Sequence, residues 1–357
     1  MKSLQLLVLA CFAIFLLTNC TENDPTPQVD EIELGATLTA SMGSDLSTQV
    51  YVNLSEGILT SVPVNTWEIA FENNGNAIKT NTAKKVAVTY VEGQSFDEIS
   101  SDAGLVYTYD AEDGDLSNTA LAGWEVNVPF ILDMGIDQNG NTLGKKKVMI
   151  TSHTATGATL QFANLDGSEF GNTDLTFGEG DFTFYSLISQ ETVEVEPENW
   201  DFVLTGVSVR TGAPCIALGG GAMPGINCDV YRLSAAALIN HYDGVEVAVD
   251  DPFASLELND DPESEKNLKT IEDSNFNSLG MSDFYSIGSS TSGDAIGRSW
   301  LHILTPHSSG VYKIYDFITY LVKDQDGHFY KVRFLAYKGG ENAENGNPTF
   351  EYELIEE

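Results

Sequence analysis

Apolar side chains recur at every second position in nearly every periodic stretch of this chain, and this pattern limits the possible folds most strongly. Near the C-terminus, Tyr330, Val332 and Phe334 alternate with Lys331 and Arg333. Successive side chains of a β-strand point to opposite faces, so the alternation predicts half-buried antiparallel strands. The same alternation marks Val86–Tyr90, Val193–Glu196 and Phe350–Leu354.

Turn signals separate these stretches, as expected for strands that are joined by hairpins. Asn-Gly, Asp-Gly and Gly-Gly pairs readily adopt the positive φ of tight turns. They fall at Asp113-Gly114, Asn139-Gly140, Asp326-Gly327, Gly339-Gly340 and Asn345-Gly346. One stretch, Leu233–Tyr242, contains three consecutive alanines and favours a helix. The chain is therefore predicted to be mostly β with short helical excursions.

The sequence also contains an internal repeat. Residues 51–71 align without a gap on residues 184–204, an offset of 133 that places Trp67 on Trp200. Self-similarity at a fixed offset is the signature of a duplicated structural unit. The alignment indicates that the chain contains two related copies of one unit.

Later landmarks extend the repeat toward the end of the chain. Trp124 corresponds to Trp300, and a turn at residues 137–140 corresponds to one at residues 324–327. We therefore expect two tandem antiparallel β domains, residues 35–180 and residues 181–357. A length of 357 residues is sufficient for two domains, each with its own core.

The first twenty residues are similar to a bacterial lipoprotein signal. Lys2 precedes an apolar run that is too short to span a membrane comfortably. The run ends in Leu17-Thr18-Asn19-Cys20, which resembles a lipobox, where the signal is removed before a cysteine that becomes lipidated. Cys11 is an alternative, but it would leave a very short apolar run. We expect a signal peptide at residues 1–19 and lipidation of Cys20.

Residues 20–34 contain two prolines and five acidic residues and are predicted to form a flexible tether. The acidic start of this tether resembles the surface-export signals of Bacteroidetes lipoproteins, which implies exposure outside the outer membrane. The whole chain has 17 basic and 53 acidic residues, a net charge of -36. Binding to nucleic acid requires clustered basic side chains, so this charge argues against that class of function.

Two cysteines, Cys215 and Cys228, remain in the body of the chain and flank a glycine-rich segment. In an oxidising compartment such a pair is expected to form a disulfide, which would stabilise the loop by about 3 kcal/mol. Zinc binding is a weaker alternative, because no histidine or further cysteine stands at ligand spacing.

A series of short motifs runs through the second half of the chain in a characteristic order. The motifs are Phe182–Leu187, Glu198–Asp201, Val207–Thr211, Gly219–Ala222, Ile296–Trp300, Val311–Lys313, Tyr320–Gly327, Tyr330–Tyr337 and Thr349–Tyr352. Together they resemble the HmuY family, surface lipoproteins of Bacteroidetes that bind haem and consist almost wholly of β-strands. The first half resembles a more divergent copy that lacks the glycine-rich loop.

This resemblance implies a haem site with two axial ligands, which are histidines in some members and methionines in others. The later ligand is expected within residues 301–310, where Thr305 occupies the family position and His307 follows two residues on. The earlier ligand is expected within residues 250–295, which contain no histidine and one methionine, Met281. Imidazole and thioether groups both bind haem iron, so His307 and Met281 are the candidate ligands.

The remaining histidines, His153, His241, His302 and His328, have no partner at a useful spacing, and His302 is expected to face outward from a strand. The acidic stretch Asp110–Asp115 is similar to a calcium-binding loop, but it lacks the closing bidentate carboxylate. We therefore interpret it as a solvated turn.

Sequence signatures of common enzyme classes are absent, so we expect a binding protein without catalytic residues. The resemblance implies a surface-anchored lipoprotein that captures haem or a related tetrapyrrole and delivers it to a TonB-dependent outer-membrane transporter. The alternative is a surface module that keeps the fold but binds a protein or a glycan. The acidic surface favours this alternative, because it would repel the haem propionates.

Overall fold

The structure is a computed structural model that describes residues 35–111, 113–137, 139–210, 214–216, 222–227, 231–304, 311–340 and 344–356. Side chains are described for these residues except 210, 214–216, 222–227 and 231–232. The described residues belong to one compact unit, residues 34–357. The predicted signal peptide, Cys20 and the tether lie outside them.

The described part of the chain contains twenty-two strands and little helix. The first ten strands are β1 Gly35–Thr39, β2 Thr48–Asn53, β3 Gly57–Pro63, β4 Ile69–Glu72, β5 Ile78–Thr80, β6 Ala87–Tyr90, β7 Phe130–Asp133, β8 Lys145–Thr154, β9 Gly157–Asn164 and β10 Gly171–Thr176. The others are β11 Phe182–Ser186, β12 Glu191–Val193, β13 Phe202–Arg210, β14 Pro214–Ile216, β15 Ala222–Asn227, β16 Tyr231–Ile239, β17 Glu246–Asp250, β18 Leu301–Ile303, β19 Tyr312–Ile314, β20 Thr319–Lys323, β21 Phe329–Gly339 and β22 Glu344–Leu354. Helix α1 spans Met281–Ile287, and short 3-10 helices span Val64–Thr66, Thr82–Lys84, Leu116–Asn118, His241–Asp243, Ile271–Asp273 and Phe276–Ser278. The prediction of a mostly β chain is confirmed.

Most strands belong to four antiparallel sheets. Sheet A has the order β1-β22-β21-β20-β17, sheet B β16-β13-β2-β3, sheet C β12-β11-β4-β5 and sheet D β10-β9-β8-β7-β6. Strands β14 and β15 form one separate ribbon, and β18 and β19 form another. The alternation seen in the sequence holds within these sheets: along β21, for example, Val332 and Phe334 are fully buried whereas Arg333 is partly exposed.

The central strands of sheets B and C come from both copies of the repeat. In sheet B, β2 pairs with β13 so that Val52 lies opposite Phe202. In sheet C, β11 pairs with β4 so that Tyr185 lies opposite Ile69. The two registers are equivalent at the offset of 133, because Val52 corresponds to Tyr185 and Ile69 to Phe202. Each of these two sheets therefore joins two strands of one copy to two strands of the other.

Strand pairing crosses the boundary that we expected between two tandem domains at residue 180. Sheets A, B and C each contain strands from residues 35–180 and from residues 181–357. Backbone hydrogen bonds thus cross the expected boundary in three sheets, and the two ranges form one compact unit. That the copies arose by duplication stays a prediction.

The prediction of a helix at Leu233–Tyr242 was wrong. Most of this stretch belongs to strand β16, which pairs along β13 with Ala237 opposite Leu204. Three consecutive alanines, Ala235 to Ala237, are all buried between neighbouring elements. Alanine favours a helix in isolation, but strand pairing and burial outweigh a propensity that amounts to only a fraction of a kcal/mol per residue.

Two large cores and one smaller core fill the space between the sheets. The core against sheet A contains Trp300, which is fully buried and stacks on Phe334 with ring centroids 4.2 Å apart. The core against sheet D is built around Phe130, Phe162 and other apolar side chains of the first half. The third core contains Trp67 and Trp200 and lies where the exchanged strands meet.

Candidate functional site

A cavity of about 420 Å³ lies beside strand β18, within the second half of the chain. Residues of β16, β17, β18 and the segment 294–299 line it; they include Leu238, Val249, Leu258, Ile296, Leu301 and His302. We call it the His302 cavity. Pockets for small organic ligands usually measure about 300 to 1,000 Å³ and are mostly apolar, so the size and the lining of this cavity suit such a ligand.

His302 is the histidine of this wall, and a carboxylate orients its ring. Its Nε2 lies 2.8 Å from Oδ1 of Asp260. Its ring also lies nearly parallel to the ring of Tyr315, with centroids 6.4 Å apart. An ionised carboxylate can only accept a hydrogen bond, so Nε2 is the donor to Asp260, and in the neutral imidazole Nδ1 is then the nitrogen with a lone pair for a metal ion. Metal-binding histidines commonly have this second bond to a carboxylate.

The structure places His302 differently from the sequence-based expectation. We expected it to face outward, because it alternates with Leu301 and Ile303. Strand β18 belongs to a two-stranded ribbon, and His302 there is only partly exposed. The contact with Asp260 spans 42 residues of sequence, and no local pattern indicates it.

The two predicted haem ligands are not both within the described residues. His307 lies outside them, in the connection between β18 and β19. Met281 begins helix α1, is half-buried and packs against the cluster that contains Phe284 and Phe329. It does not contribute to the described lining of the His302 cavity. The proposed pairing of His307 with Met281 therefore stays a prediction.

A second cavity, of about 120 Å³, lies between sheets B and C and is lined by both repeat-equivalent tryptophans. We call it the tryptophan pocket. Tyr51 and Tyr242 add aromatic surface, and Asp110 adds a buried carboxyl group. The pocket is smaller than the usual range for organic ligands, so it suits only a small molecule or a few water molecules.

Charges and aromatic rings meet at one side of the tryptophan pocket. The ammonium group of Lys79 lies 3.0 Å from Oε1 of Glu196 and 3.6 Å from the ring centroid of Phe182. Asp110 accepts the backbone N–H groups of Thr80 and Ala120 at 2.6 and 2.8 Å. These bonds fix the Asp110 carboxylate at the wall of the pocket. The interpretation of Asp110–Asp115 as a solvated turn stays a prediction.

Several buried polar atoms of this wall have no hydrogen-bond partner among the described residues. They include Nε1 of Trp67, Oε1 of Gln49 and Oγ1 of Thr119. Buried polar atoms in proteins are nearly always bonded, so these atoms would bond to a ligand or to water. Burial lowers the pKa of His241, which also lines the pocket, so its imidazole is neutral near pH 7.

The predicted disulfide lies mostly outside the described part of the chain. Cys215 belongs to strand β14, but its side chain is not described, and Cys228 lies outside the described residues. The Cys215–Cys228 disulfide therefore stays a prediction. Among the described helices, none combines the length and the apolar character that a membrane crossing requires.

Comparison with known proteins gives one family match and one structural match. Residues 178–352 match the model of the HmuY protein family. No curated protein matches the chain. A solved structure of a Bacteroides fragilis protein classed as a lipoprotein is 11% identical and covers 92% of this chain and 95% of its own, with a TM-score of 0.25. A TM-score this low does not establish a shared fold.

Proposed function

Because residues 178–352 belong to the HmuY family, we propose that this protein is a lipid-anchored binding protein that captures haem or a related tetrapyrrole at the cell surface. It passes the ligand to a TonB-dependent transporter of the outer membrane and has no catalytic role of its own. The observation that carries the proposal is the His302 cavity. All its lining residues fall inside the family match, and a carboxylate-oriented histidine stands in its wall.

The donor set around the cavity suits a haem ligand. His302 offers an imidazole ring, and a histidine nitrogen is a common ligand of haem iron. Arg298 also lines the cavity and provides a positive charge for the haem propionates. His307, between β18 and β19, and Met281 are the ligands that the family resemblance implies, so three side chains compete for two axial positions.

Titration of the purified protein with haemin tests the proposal. Saturable binding should produce a Soret band, and the variants His302→Ala, His307→Ala and Met281→Ala should shift or weaken it where the side chain is a ligand. The His328→Ala variant is the matched control, because His328 is half-exposed on the β20–β21 turn. If none of the three variants changes the spectrum, all three ligand assignments are wrong.

The alternative is a surface interaction module that binds a protein or a glycan in place of haem. One observation favours it: the net charge of -36, which opposes haem propionates. The absence of any spectral change with ferric or ferrous haem would select this alternative.

Anchoring through Cys20 needs its own test, because that residue lies outside the described part of the chain. We expect metabolic labelling with a fatty acid to mark the wild-type protein and to fail with Cys20→Ala. Protease added to intact cells should remove the wild-type protein, since it is exposed at the surface. Labelling of the Cys20→Ala variant would contradict the assignment.

A further inference from the structure

Glu68 and Asp201 occupy equivalent positions in the two copies of the repeat. Oε2 of Glu68 accepts the backbone N–H of Leu187 at 2.6 Å, and Oδ2 of Asp201 accepts that of Leu54 at 2.6 Å. Leu54 and Leu187 are themselves related by the offset of 133. Both carboxylates are almost completely buried, at 0% and 1% exposure. Burial of a charged carboxylate is costly unless a partner compensates the charge. The partner of the second oxygen of each group therefore shows whether its charge is compensated.

Among the described residues, only one of the two carboxylates has a counter-ion. The second oxygen of Glu68 pairs with Nζ of Lys84, and both side chains are fully buried. Asn81 and Asn240 each cap the N-terminus of a 3-10 helix. The residue three positions after this cap is Lys84 in the first copy and Asp243 in the second copy. The second copy thus has an acidic residue where the first has the lysine. Oδ1 of Asp201 has no hydrogen-bond partner among the described residues.

The turn between β20 and β21 brings three potential metal ligands close to Asp201. Asp324, Asp326 and His328 each offer one atom, and these atoms lie within 4.8 Å of one another. All three groups interact electrostatically with Asp201. The buried hydroxyl of Tyr330 interacts with Asp324 and Asp201 and likewise has no partner among the described residues. The buried, unpartnered oxygen of Asp201 therefore lies at the base of an acidic turn.

The turn is shaped in advance by local hydrogen bonds. Oδ1 of Asp324 accepts the backbone N–H of His328 at 2.8 Å, and Gly327 takes a φ of 87° that a side chain would disfavour. Asp324 is buried, whereas Asp326 and His328 are exposed, so an ion can enter from solvent. No large rearrangement of the backbone is needed to bring the three groups together.

We propose that Asp324, Asp326 and His328 bind a divalent first-row transition metal such as Zn²⁺, which compensates the charge of Asp201 beneath them. Carboxylate and imidazole ligands lie about 2.0 to 2.2 Å from such ions, so the ligand atoms of a tetrahedral site are about 3.4 Å apart. Nδ1 of His328 lies 3.1 Å from Oδ2 of Asp324, and all three ligand atoms lie within 4.8 Å of one another. Imidazole favours these metals over Mg²⁺ or Ca²⁺. In the second copy, the ion thus compensates the buried negative charge, as Lys84 does in the first copy.

Isothermal titration of tag-free, chelator-treated protein with ZnCl₂ tests the site. We expect one equivalent of Zn²⁺ to bind, and the exposed-site variants Asp326→Asn and His328→Ala each to lose affinity about tenfold or more. The matched control is Asp137→Asn in the corresponding turn of the first copy, which has no histidine. Binding that persists in the Asp326→Asn, His328→Ala double variant would overturn the assignment, and so would the lack of saturable binding at millimolar ZnCl₂.

Thermal unfolding connects the ion to the buried carboxylate. Zn²⁺ should raise the melting temperature of the wild-type protein and leave that of the double variant unchanged, because only the folded state binds the ion. Burial raises the pKa of Asp201 to about 7, so the melting temperatures are measured at pH 8, where Asp201→Asn removes the uncompensated charge. This substitution should raise the metal-free melting temperature and reduce the shift caused by Zn²⁺. An equal shift in wild-type and Asp201→Asn proteins would contradict the role of Asp201. Stabilisation by CaCl₂ but not ZnCl₂ would contradict the metal class.

Discussion

The ring of Tyr51 packs edge-on against Trp200, with centroids 5.3 Å apart and planes at 83°. Phe184 and Trp67, the counterparts of these residues at the offset of 133, pack in the same way at 4.9 Å and 75°. Each contact joins an aromatic ring of one copy to the tryptophan of the other. The third core of the protein is therefore assembled from both copies.

Neither half of the chain is expected to fold alone. Residues 35–180 without the rest lack β13, the partner of β2, and residues 181–357 lack β4, the partner of β11. Each isolated half would expose unpaired strand edges and half of the third core. We expect poor dispersion in the amide NMR spectrum of either half and recovery of native dispersion when the two are mixed. A well-dispersed spectrum from one half alone would show that the exchange is dispensable.

Truncation of a repeat-equivalent tryptophan should be strongly destabilising. Trp67 and Trp200 are 5% and 6% exposed, and replacement of a buried aromatic residue by alanine costs about 3 to 5 kcal/mol. We expect Trp67→Ala and Trp200→Ala to lower the free energy of unfolding by that amount in urea titrations. Trp124→Ala should cost less, because Trp124 is only partly buried and lies at the edge of its core. Equal losses in all three variants would contradict this order.

The buried pair of Lys84 and Glu68 gives a third prediction. Removal of one partner of a buried ion pair leaves an uncompensated charge and costs about 3 to 5 kcal/mol. Lys84→Met should therefore be strongly destabilising, and Glu68→Gln in addition should recover part of the loss in a double-mutant cycle. Lys145→Met is the control, since its pair with Asp102 is about one-third exposed and worth at most about 1 kcal/mol. Similar losses in the free energy of unfolding for Lys84→Met and Lys145→Met would contradict a special role of the buried Lys84–Glu68 pair.

The protein should be more stable at mildly acidic than at alkaline pH. Burial raises the pKa of six aspartates: that of Asp201 rises to about 7, and those of Asp110, Asp133, Asp181, Asp250 and Asp316 also rise. Such groups bind protons more tightly in the folded state, so their stabilising contribution is lost as pH rises from about 4 through the raised pKa values. Protonation also reduces the repulsion within a chain of net charge -36.

Melting temperatures measured at pH 5.5 and pH 8 check this dependence. We expect the higher value at pH 5.5. Burial lowers the pKa of His153 and His241, so these two groups act in the opposite direction below about pH 6.5, but Asp201 and the net charge of -36 outweigh them. Exposed carboxylates with a lowered pKa, such as Asp137, act in the opposite direction only below about pH 4, where they become protonated. A lower melting temperature at pH 5.5 than at pH 8 would contradict the prediction.

Much of the fold can be predicted from local sequence. The face that a strand residue occupies depends on its position in a two-residue period, so the pattern around Phe334 predicted a strand before any partner was known. The turn at Asp326-Gly327 is equally local, because glycine alone meets its backbone requirement at little cost. The family resemblance of the second half also follows from short motifs in the sequence and agrees with the match to residues 178–352.

The candidate sites depended on contacts that no local pattern contains. His302 contacts Asp260 across 42 residues. Asp201 accepts a backbone N–H from a residue 147 positions away and interacts electrostatically with a turn beyond residue 320. The alanines of β16 likewise became a strand because β13 was available as a partner. Sequence periodicity alone determined that this protein consists of strands and turns. Which copy supplies each strand was decided only by the tertiary structure, because pairing energy depends on residues that are distant in sequence.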